Sequence, residues 1–232
     1  ILGFLGPNGA GKSTTMKILT SFLAPTSGSA QVAGFDVTDD SLKARARIGY
    51  LPEDTSLYRE MRVIEYLDYV TELRGIPRAD RRGRIKKIGE TTGILDVLGK
   101  RIGTLSKGYR QRVGLTQAMV HDPDVLILDE PTSGLDPNQI VQIRGLIQEL
   151  GRKKTVVLST HILPEVQATC DRVIIVSDGR VVADGKPNDL VAQQTSDKYR
   201  LLLETSDNTD AISEKLRAID GVKTVKVEPA VG

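Results

Sequence analysis

The 232-residue sequence is poor in cysteine, aromatic residues and long apolar runs. It holds one cysteine, Cys170, no tryptophan and 4% aromatic residues. A single cysteine excludes an internal disulfide and fits a reducing compartment, where we expect Cys170 to be a small buried apolar residue. The longest apolar runs, such as Val125–Leu128 and Val173–Val176, have four residues. They are far shorter than the ~20 residues that span a bilayer, so the sequence predicts no membrane-crossing segment.

Neither sign of charge is in large excess, because the net charge is only +2. This balance gives no general reason to expect a nucleic acid or an anionic surface as partner. The distribution is uneven, since the segment Arg74–Arg112 holds twelve Lys and Arg residues against three acids. A solvated helical face and an anionic neighbour, either nucleotide phosphates or lipid head groups, both remain open as explanations. The composition, 39% hydrophobic and 27% charged, excludes disordered, collagen-like and coiled-coil chains.

The first residues indicate a piece of a longer protein. Ile1 is not a methionine, and the sequence opens directly inside an apolar strand. No charged start followed by an apolar segment marks a signal peptide, so the sequence predicts a cytoplasmic protein.

Short β-branched segments alternate with helical segments along most of the sequence. The predicted strands are Ile1–Leu5, Ala30–Ala33, Ile48–Leu51, Val125–Asp129, Thr155–Ser159, Val173–Ser177 and Arg180–Ala183. Several are apolar on both faces, which is typical of a mostly parallel sheet covered by helices. One helix is predicted after Asp136, which can cap it, with Pro137 in its first turn and Gly151 at its end. The sequence therefore predicts an α/β fold.

Two segments depart from this alternation. Between about residues 57 and 119 the strand pattern is absent, and we predict an inserted all-helical subdomain in a main domain of residues 1–194. Residues 195–232 predict a partial βαβ accessory domain. Its pattern alternates at Tyr199, Leu201 and Leu203, has helical spacing at Ile212, Leu216 and Ile219 up to Gly221, and alternates again at Val225 and Val227.

A phosphate-binding loop follows the first strand. Its residues match the pattern G-x-x-x-x-G-K-[ST] and comprise Gly6, Pro7, Asn8, Gly9, Ala10, Gly11, Lys12, Ser13 and Thr14. Glycines let the backbone aim its N–H groups at phosphate oxygens, and the following helix N-terminus adds partial positive charge. Lys12 is predicted to contact β- and γ-phosphates, and the Ser13 hydroxyl to bind Mg²⁺.

Two carboxylates, Asp129 and Glu130, stand at the end of the apolar strand Val125–Asp129. Beside the phosphate loop, Asp129 would hold Mg²⁺ directly or through water, and Glu130 would take a proton from the attacking water. Two acids at a strand end are common, so this prediction depends on their pairing with the phosphate loop.

Further motifs make the sequence resemble the ATP-binding subunits of ABC transporters, a family with the P-loop NTPase fold. Leu105–Arg112 resembles the signature sequence of the family, Ser133–Asp136 its D-loop and His161 its switch histidine. These motifs occur in family order and cover roughly residues 1–190. The resemblance implies two cassettes that dimerise head to tail. Each ATP would lie between the phosphate loop of one chain and Ser106 and Gly108 of the other.

The same resemblance implies roles for single residues and partners. His161 would contact the γ-phosphate, Asp136 would couple the two sites, and Glu130, His161 and Lys12 are the candidate catalytic residues. The implied protein is an ATPase at the cytoplasmic face of the membrane that drives transport through a separate polytopic membrane subunit. The second cassette would be either a copy of this chain or a different chain. No nucleic-acid partner is expected.

Three departures from the family pattern affect these expectations. Glu53 stands where the family has Gln; its carboxylate can ligate Mg²⁺ but cannot donate a hydrogen bond to water, and a surface role is the alternative. Lys107 and Tyr109 replace the usual Gly and Gln of the signature, which leaves the contacts expected of Ser106 and Gly108. The adenine-stacking aromatic residue of the family lies before the phosphate loop, outside this sequence, so we expect weaker ATP binding.

The variant signature, Glu53 and the segment after Gln194 most resemble cassettes of bacterial exporters, among them gliding-motility-associated and multidrug types. In the family, a groove after Glu53 receives a coupling helix of the membrane subunit. Residues that would line this groove or belong to the core are Met61, Val63, Ile64, Tyr66 and Leu67. The alternative function is a soluble ABC ATPase acting on ribosomes or DNA, which only the basic segment favours.

Overall fold

A computed structural model of the chain describes residues 1–194, 209–219, 222, 224 and 225. Its contacts divide the chain into two units, Ile1–Ala192 and Gln193–Gly232. The strands of the first unit are β1 Leu2–Leu5, β2 Gln31–Val32, β3 Phe35–Asp36, β4 Ile48–Leu51, β5 Val125–Asp129, β6 Thr155–Thr160, β7 Arg172–Ser177 and β8 Arg180–Gly185.

Six of these strands form one mixed sheet in the order β4-β5-β6-β1-β7-β8. All neighbours pair in parallel except β7 and β8, which pair antiparallel. The register places Leu5 opposite Thr160 and Asp129 opposite Ser159. Because β1, β4, β5 and β6 are parallel, the loops that follow them all emerge at the same edge of the sheet. The predicted mostly parallel α/β sheet is confirmed.

Helices cover the sheet on both faces. In chain order they are α1 Lys12–Leu19, α2 Ser41–Ala46, α3 Val63–Leu73, α4 Arg78–Thr92, α5 Lys107–Met119, α6 Pro137–Gly151, α7 Leu163–Thr169 and α8 Pro187–Gln194. One apolar cluster joins β5 and β6 to α6 through residues such as Leu128, Ile143 and Leu158. A second lies around α1 and contains Phe4 and Met16. These two clusters pack the helices against the sheet.

The predicted helical insertion corresponds to α3, α4 and α5, with 3₁₀ turns at Leu95–Val97 and Ile102–Thr104. It has an apolar core of its own, whose fully buried members include Val63, Leu67, Ile85, Ile94, Ile102 and Val113. Of the residues considered for the coupling groove, Val63, Tyr66 and Leu67 are buried in this core. Met61 and Ile64 are half-buried and pack against it.

The strand prediction was wrong for the small hairpin that follows α1. The predicted strand Ala30–Ala33 is only Gln31–Val32, and it pairs antiparallel with Phe35–Asp36, which was not predicted as a strand. Ala33 and Gly34 make the connecting turn with φ of 51° and 82°. Alanine seldom adopts a positive φ, so the residue pair gives a weak turn signal. Strands of two residues are also too short to show a period of two.

The second unit is described in part. Helix α9 spans Thr209–Arg217 and contains Ile212 and Leu216 of the predicted helical spacing, but it ends before Ile219, and the predicted end at Gly221 lies outside the described residues. The strand predicted from Tyr199 to Leu203 lies outside the described residues, as does Val227, and Val225 is described without strand structure. The βαβ accessory domain therefore stays a prediction.

Two expectations from the scarce residue types can be compared with the structure. Cys170 is buried, and this burial raises the pKa of its thiol to about 12, so it is a neutral apolar residue. Within residues 1–194 and the described part of the second unit, every helix is too short or too polar to cross a membrane.

Candidate functional site

The phosphate loop wraps tightly between β1 and α1. Gly9 and Gly11 have φ of 83° and 100°, a region that residues with a Cβ rarely adopt. At Gly6 the constraint is space, because a Cβ there would lie 2.4 Å from the backbone oxygen of Val176. The glycines of the motif are thus required by the backbone path.

Lys12 begins α1 and is only 6% exposed. Its Nζ donates to the backbone oxygens of Gly6 at 2.9 Å and Pro7 at 3.2 Å. It also lies 3.5 Å from Oε1 of Glu130, which is buried as well. The ammonium is therefore held at the mouth of the loop by bonds that phosphate oxygens can replace.

Glu130 is held in an uncommon backbone conformation just after β5. Its φ is 47°, which costs a residue with a Cβ on the order of 1–3 kcal/mol. Its N–H donates to the backbone oxygen of Ser159 at 3.2 Å and to Ser159 Oγ at 3.1 Å. Such strain held by neighbouring groups is typical of functional positions.

The Glu130 carboxylate joins two cationic or ionisable partners. Nδ1 of His161 lies 3.0 Å from its Oε2 and 3.1 Å from its Oε1, and Lys12 Nζ lies 3.5 Å from Oε1. His161 is 45% exposed in its side chain, whereas Glu130 is 7% exposed. The carboxylate is thus buried below the imidazole, which faces the solvent.

Asp129 lies deeper than Glu130. Only 2% of it is exposed, and its Oδ1 accepts a hydrogen bond from the Ser159 hydroxyl. Burial, together with the nearby Asp129 carboxylate, raises the pKa of Tyr50 to about 12, so the phenol stays neutral. Ser159 therefore orders both acids, since it donates to one and accepts from the N–H of the other.

An open cavity of about 500 Å³ lies at this edge of the sheet. It brings together most of the predicted site residues. Its lining comprises Asn8, Gly9, Gly11, Lys12, Ser13, Thr14, Glu53, Glu130, Ser133 and His161. The loops after β1, β4, β5 and β6 thus contribute to one cavity, although they are far apart in the sequence.

Seven predicted site residues do not line this cavity. Gly6, Pro7, Ala10 and Asp129 lie one or two residues from lining residues in the chain, whereas Ser106, Gly108 and Asp136 belong to the starts of α5 and α6. Ser106 caps α5 by accepting a hydrogen bond from the N–H of Tyr109 at 3.3 Å. Gly108 lies in the first turn of α5, where a Cβ would come 2.7 Å from the side chain of Gln139. Asp136 caps α6 by accepting from the N–H of Gln139 at 2.9 Å. The starts of α5 and α6 thus meet in one surface outside the cavity.

The donor set suits Mg²⁺ in chemistry but is incomplete by itself. The three predicted ligands supply oxygen atoms, the hydroxyl of Ser13 and the carboxylates of Glu53 and Asp129, which this hard cation prefers. Within the described part of the chain, however, no three His, Cys, Asp or Glu side chains come together as a metal site. A bound Mg²⁺ would then need phosphate or water oxygens for its remaining ligands.

Sequence reasoning missed two residues at this edge of the sheet. Ser159, which orders Asp129 and Glu130, was assigned only to a strand. Ser133 lines the cavity but was treated only as part of a loop motif. The signal for Ser159 was its place, because a hydroxyl residue beside Thr160 ends an otherwise apolar strand at the edge where parallel strands carry their ligands.

Comparison with known families agrees with this geometry. The family model described as ABC transporter matches residues 1–133, from β1 past the two acids of β5. A second model, for an AAA domain, matches residues 101–166. The first match spans more than half of the chain.

Individual proteins give the same result. The chain is 39% identical over 199 residues to the ABC transporter ATP-binding protein NatA of Bacillus subtilis, covering 85% of this chain and 81% of NatA. It is 38% identical to the probable multidrug ABC transporter ATP-binding protein YbhF of Escherichia coli, covering 85% of this chain but only 34% of YbhF.

A solved structure shares the fold. The cbiO1 protein of Clostridium perfringens, part of the ABC transporter complex cbiONQ, superposes with a TM-score of 0.75 at 28% identity. The match covers 93% of this chain and 82% of that one. Taken with the family match and the identity to NatA, this likeness shows that the chain belongs to the ATP-binding subunits of ABC transporters and is an ATPase.

Proposed function

We propose that this chain hydrolyses ATP in the cavity beside the phosphate loop and uses that cycle to power export through a separate membrane subunit. The observation that carries the chemistry is the buried Glu130 carboxylate, 3.5 Å from Lys12 Nζ and 3.0 Å from His161 Nδ1. Export is supported by the variant signature Leu105–Arg112 and by a similar protein, YbhF, whose name describes a multidrug transporter.

In the proposed reaction, each side chain has a separate task. Lys12 exchanges its bonds to Gly6 and Pro7 for the β- and γ-phosphate oxygens, where its charge stabilises the transition state. Glu130 accepts the proton of the attacking water at a carboxylate oxygen. His161, fixed by Glu130, contacts the γ-phosphate. The γ-phosphorus–oxygen bond to ADP breaks as the water oxygen bonds to phosphorus.

Mg²⁺ would be held by Ser13, Asp129 and Glu53. When bound, it would neutralise charge on the phosphate oxygens. Glu53 is exposed and lines the cavity, so both of its predicted roles, ligand and surface residue, fit its position. Asp129 is 2% exposed, and its Oδ1 accepts the Ser159 hydrogen bond, so it would act through Oδ2, directly or through water.

A second cassette completes the site in this proposal. Ser106 and Gly108 lie outside the cavity of their own chain, at the start of α5, where a hydroxyl and an N–H can face the γ-phosphate held by another chain. Asp136 starts the neighbouring helix α6 and would couple the two nucleotides. The pairing is with an identical or a different cassette.

The membrane partner would bind the helical subdomain at the cytoplasmic face. Met61 and Ile64 are its half-buried candidates, whereas the other three groove residues are core. Residues 1–194 form the cassette and residues 195–232 an accessory domain in this proposal. No nucleic-acid partner is proposed, and the rival action on ribosomes or DNA is not favoured, since the similar proteins are named as transporter subunits.

The experiment that tests this function is affinity purification of the protein from solubilised membranes and from the soluble fraction, with mass spectrometry of both. We expect a polytopic membrane protein in a fixed ratio to the chain. Recovery from the soluble fraction alone, with ribosomal proteins or nucleic acid, would leave the ATPase chemistry intact and overturn the transport function.

A further inference from the structure

Glu165 is a buried acid behind the candidate active site. It lies on α7, four residues after His161, and is 5% exposed. It does not line the 500 Å³ cavity, and neither the sequence motifs nor the proposed reaction uses it. A buried carboxylate must be hydrogen-bonded to persist, so its partners indicate what it does.

Its partners are two threonine hydroxyls. Thr132 Oγ1 lies 2.8 Å from Oε1 and 3.0 Å from Oε2 of Glu165, and its hydroxyl is shared between them. Thr160 Oγ1 donates to Oε2 at 2.9 Å. All three side chains are buried. Hydrogen bonds to a charged acceptor away from water are among the stronger ones in proteins.

The two threonines belong to the two loops that carry the catalytic pair. Thr132 follows Glu130 by two residues, and Thr160 directly precedes His161. Glu165 therefore links, through Thr132 and Thr160, the same two segments that the Glu130–His161 contact joins.

Thr160 extends this connection to the phosphate loop. Its backbone oxygen accepts from the N–H of Gly6 at 3.3 Å, and its hydroxyl oxygen accepts from the N–H of Ile162 at 3.1 Å. Three segments of the site, which begin at Gly6, Glu130 and His161, thus meet at one buried threonine and one buried acid.

We propose that Glu165 is a positioning residue, which sets the turnover rate by holding Glu130 and His161 in register through Thr132 and Thr160. This inference rests on the proposed function, in which Glu130 is the base. A displacement of about 1 Å at a catalytic group can cost roughly 10²-fold in rate. Binding of nucleotide depends on the phosphate loop and Lys12, whose side-chain bonds Glu165 does not touch.

The test measures kcat, KM and the dissociation constant for ATP in the full chain carrying Glu165→Ala. We expect kcat to fall roughly 10–100-fold while KM and the dissociation constant stay within about threefold. Glu165→Gln keeps one acceptor oxygen of the two, so it should restore part of the lost turnover.

A matched control separates positioning from general stability. Val166→Ala alters the next residue of α7, which is fully buried and packs against β1 near Gly3. It should lower the melting temperature as much as Glu165→Ala does, or more, and leave kcat within about threefold. As a single change, Thr160→Val should lower kcat. Added to Glu165→Ala, it should lower kcat little further, because both changes break the same connection.

The outcomes are distinct. Equal losses of kcat in Glu165→Ala and Val166→Ala, each assayed well below its melting temperature, would overturn the inference, as would full turnover in Glu165→Ala. An inactive wild-type chain, or full turnover in Glu130→Gln, would instead overturn the proposed function from which the inference starts.

Discussion

Nδ1 of His161 lies 3.0 Å from Oε2 of Glu130, although 31 residues separate the two in sequence. The contact crosses from the end of β5 to the end of β6, which are adjacent parallel strands. The sheet register brings Asp129 opposite Ser159, so the residues just beyond them meet at the same edge. The pairing of β5 with β6 thus brings the acid and the imidazole together.

Replacement of Glu130 by Gln tests the proposed base. Gln keeps the size of the side chain but cannot accept the proton of the attacking water, so we expect turnover to fall roughly 100-fold or more. ATP binding should persist because Lys12 and the phosphate loop are unchanged. Steady-state ATPase assays and equilibrium binding of nucleotide measure the two effects. Turnover within a few-fold of wild type would remove Glu130 from this role.

Replacement of Lys12 by Ala should weaken binding itself. The variant loses the ammonium that Gly6 and Pro7 hold at the mouth of the loop, and we expect the dissociation constant for ATP to rise about tenfold or more. Calorimetry or a fluorescent nucleotide measures this. Lys17→Ala is the matched control, since Lys17 lies on the same helix but is exposed and outside the cavity. An unchanged affinity in Lys12→Ala would contradict the assignment of the loop.

The sequence predicted those parts of the site that are local in the chain. The phosphate loop needs only nine consecutive residues, from Gly6 to Thr14, and its glycines mark the turn directly. The strands β5, β6 and β7 were also predictable, because successive apolar residues, many of them β-branched, occupy both of their faces. The cavity then followed from the rule that parallel strands present their ligands at one edge.

The parts that could not be predicted depend on contacts between distant segments. Ser159 bonds to Asp129 and Glu130 only because β5 and β6 are neighbours in this register, which periodicity does not specify. Glu165 reads in the sequence as an ordinary surface acid of a short helix, and only the fold buries it against two threonines. The apolar pattern around Val63 and Leu67 is compatible with a core position and with the coupling groove. In the structure, the packing of α3 buries both side chains in the core.

Gly49 is predicted to be required by space. A Cβ at this position in β4 would lie 2.1 Å from the backbone oxygen of Ala118 and 2.7 Å from Leu126 Cδ2. Gly49→Ala should therefore lower the free energy of unfolding by about 1–3 kcal/mol, measured by denaturant or thermal unfolding. Gly145→Ala is the control: nothing lies within 4 Å of the added methyl on α6, and the change should stabilise by up to ~1 kcal/mol. Equal stability of the two variants would contradict this packing.

His121 is predicted to make stability depend on pH. Burial, with the charges of Arg74 and Lys154, lowers its pKa to about 4, below the ordinary 6.5, while Nε2 lies 3.0 Å from the Ile48 oxygen. Between pH 6.5 and 4 the unfolded chain binds a proton that the folded chain does not, so stability present above pH 6.5 is lost as the pH falls. Partial exposure reduces the loss to on the order of 2 kcal/mol. His121→Gln removes this titration, and its free energy of unfolding should fall less than that of wild type between pH 7 and 4.5; equal losses would refute the prediction.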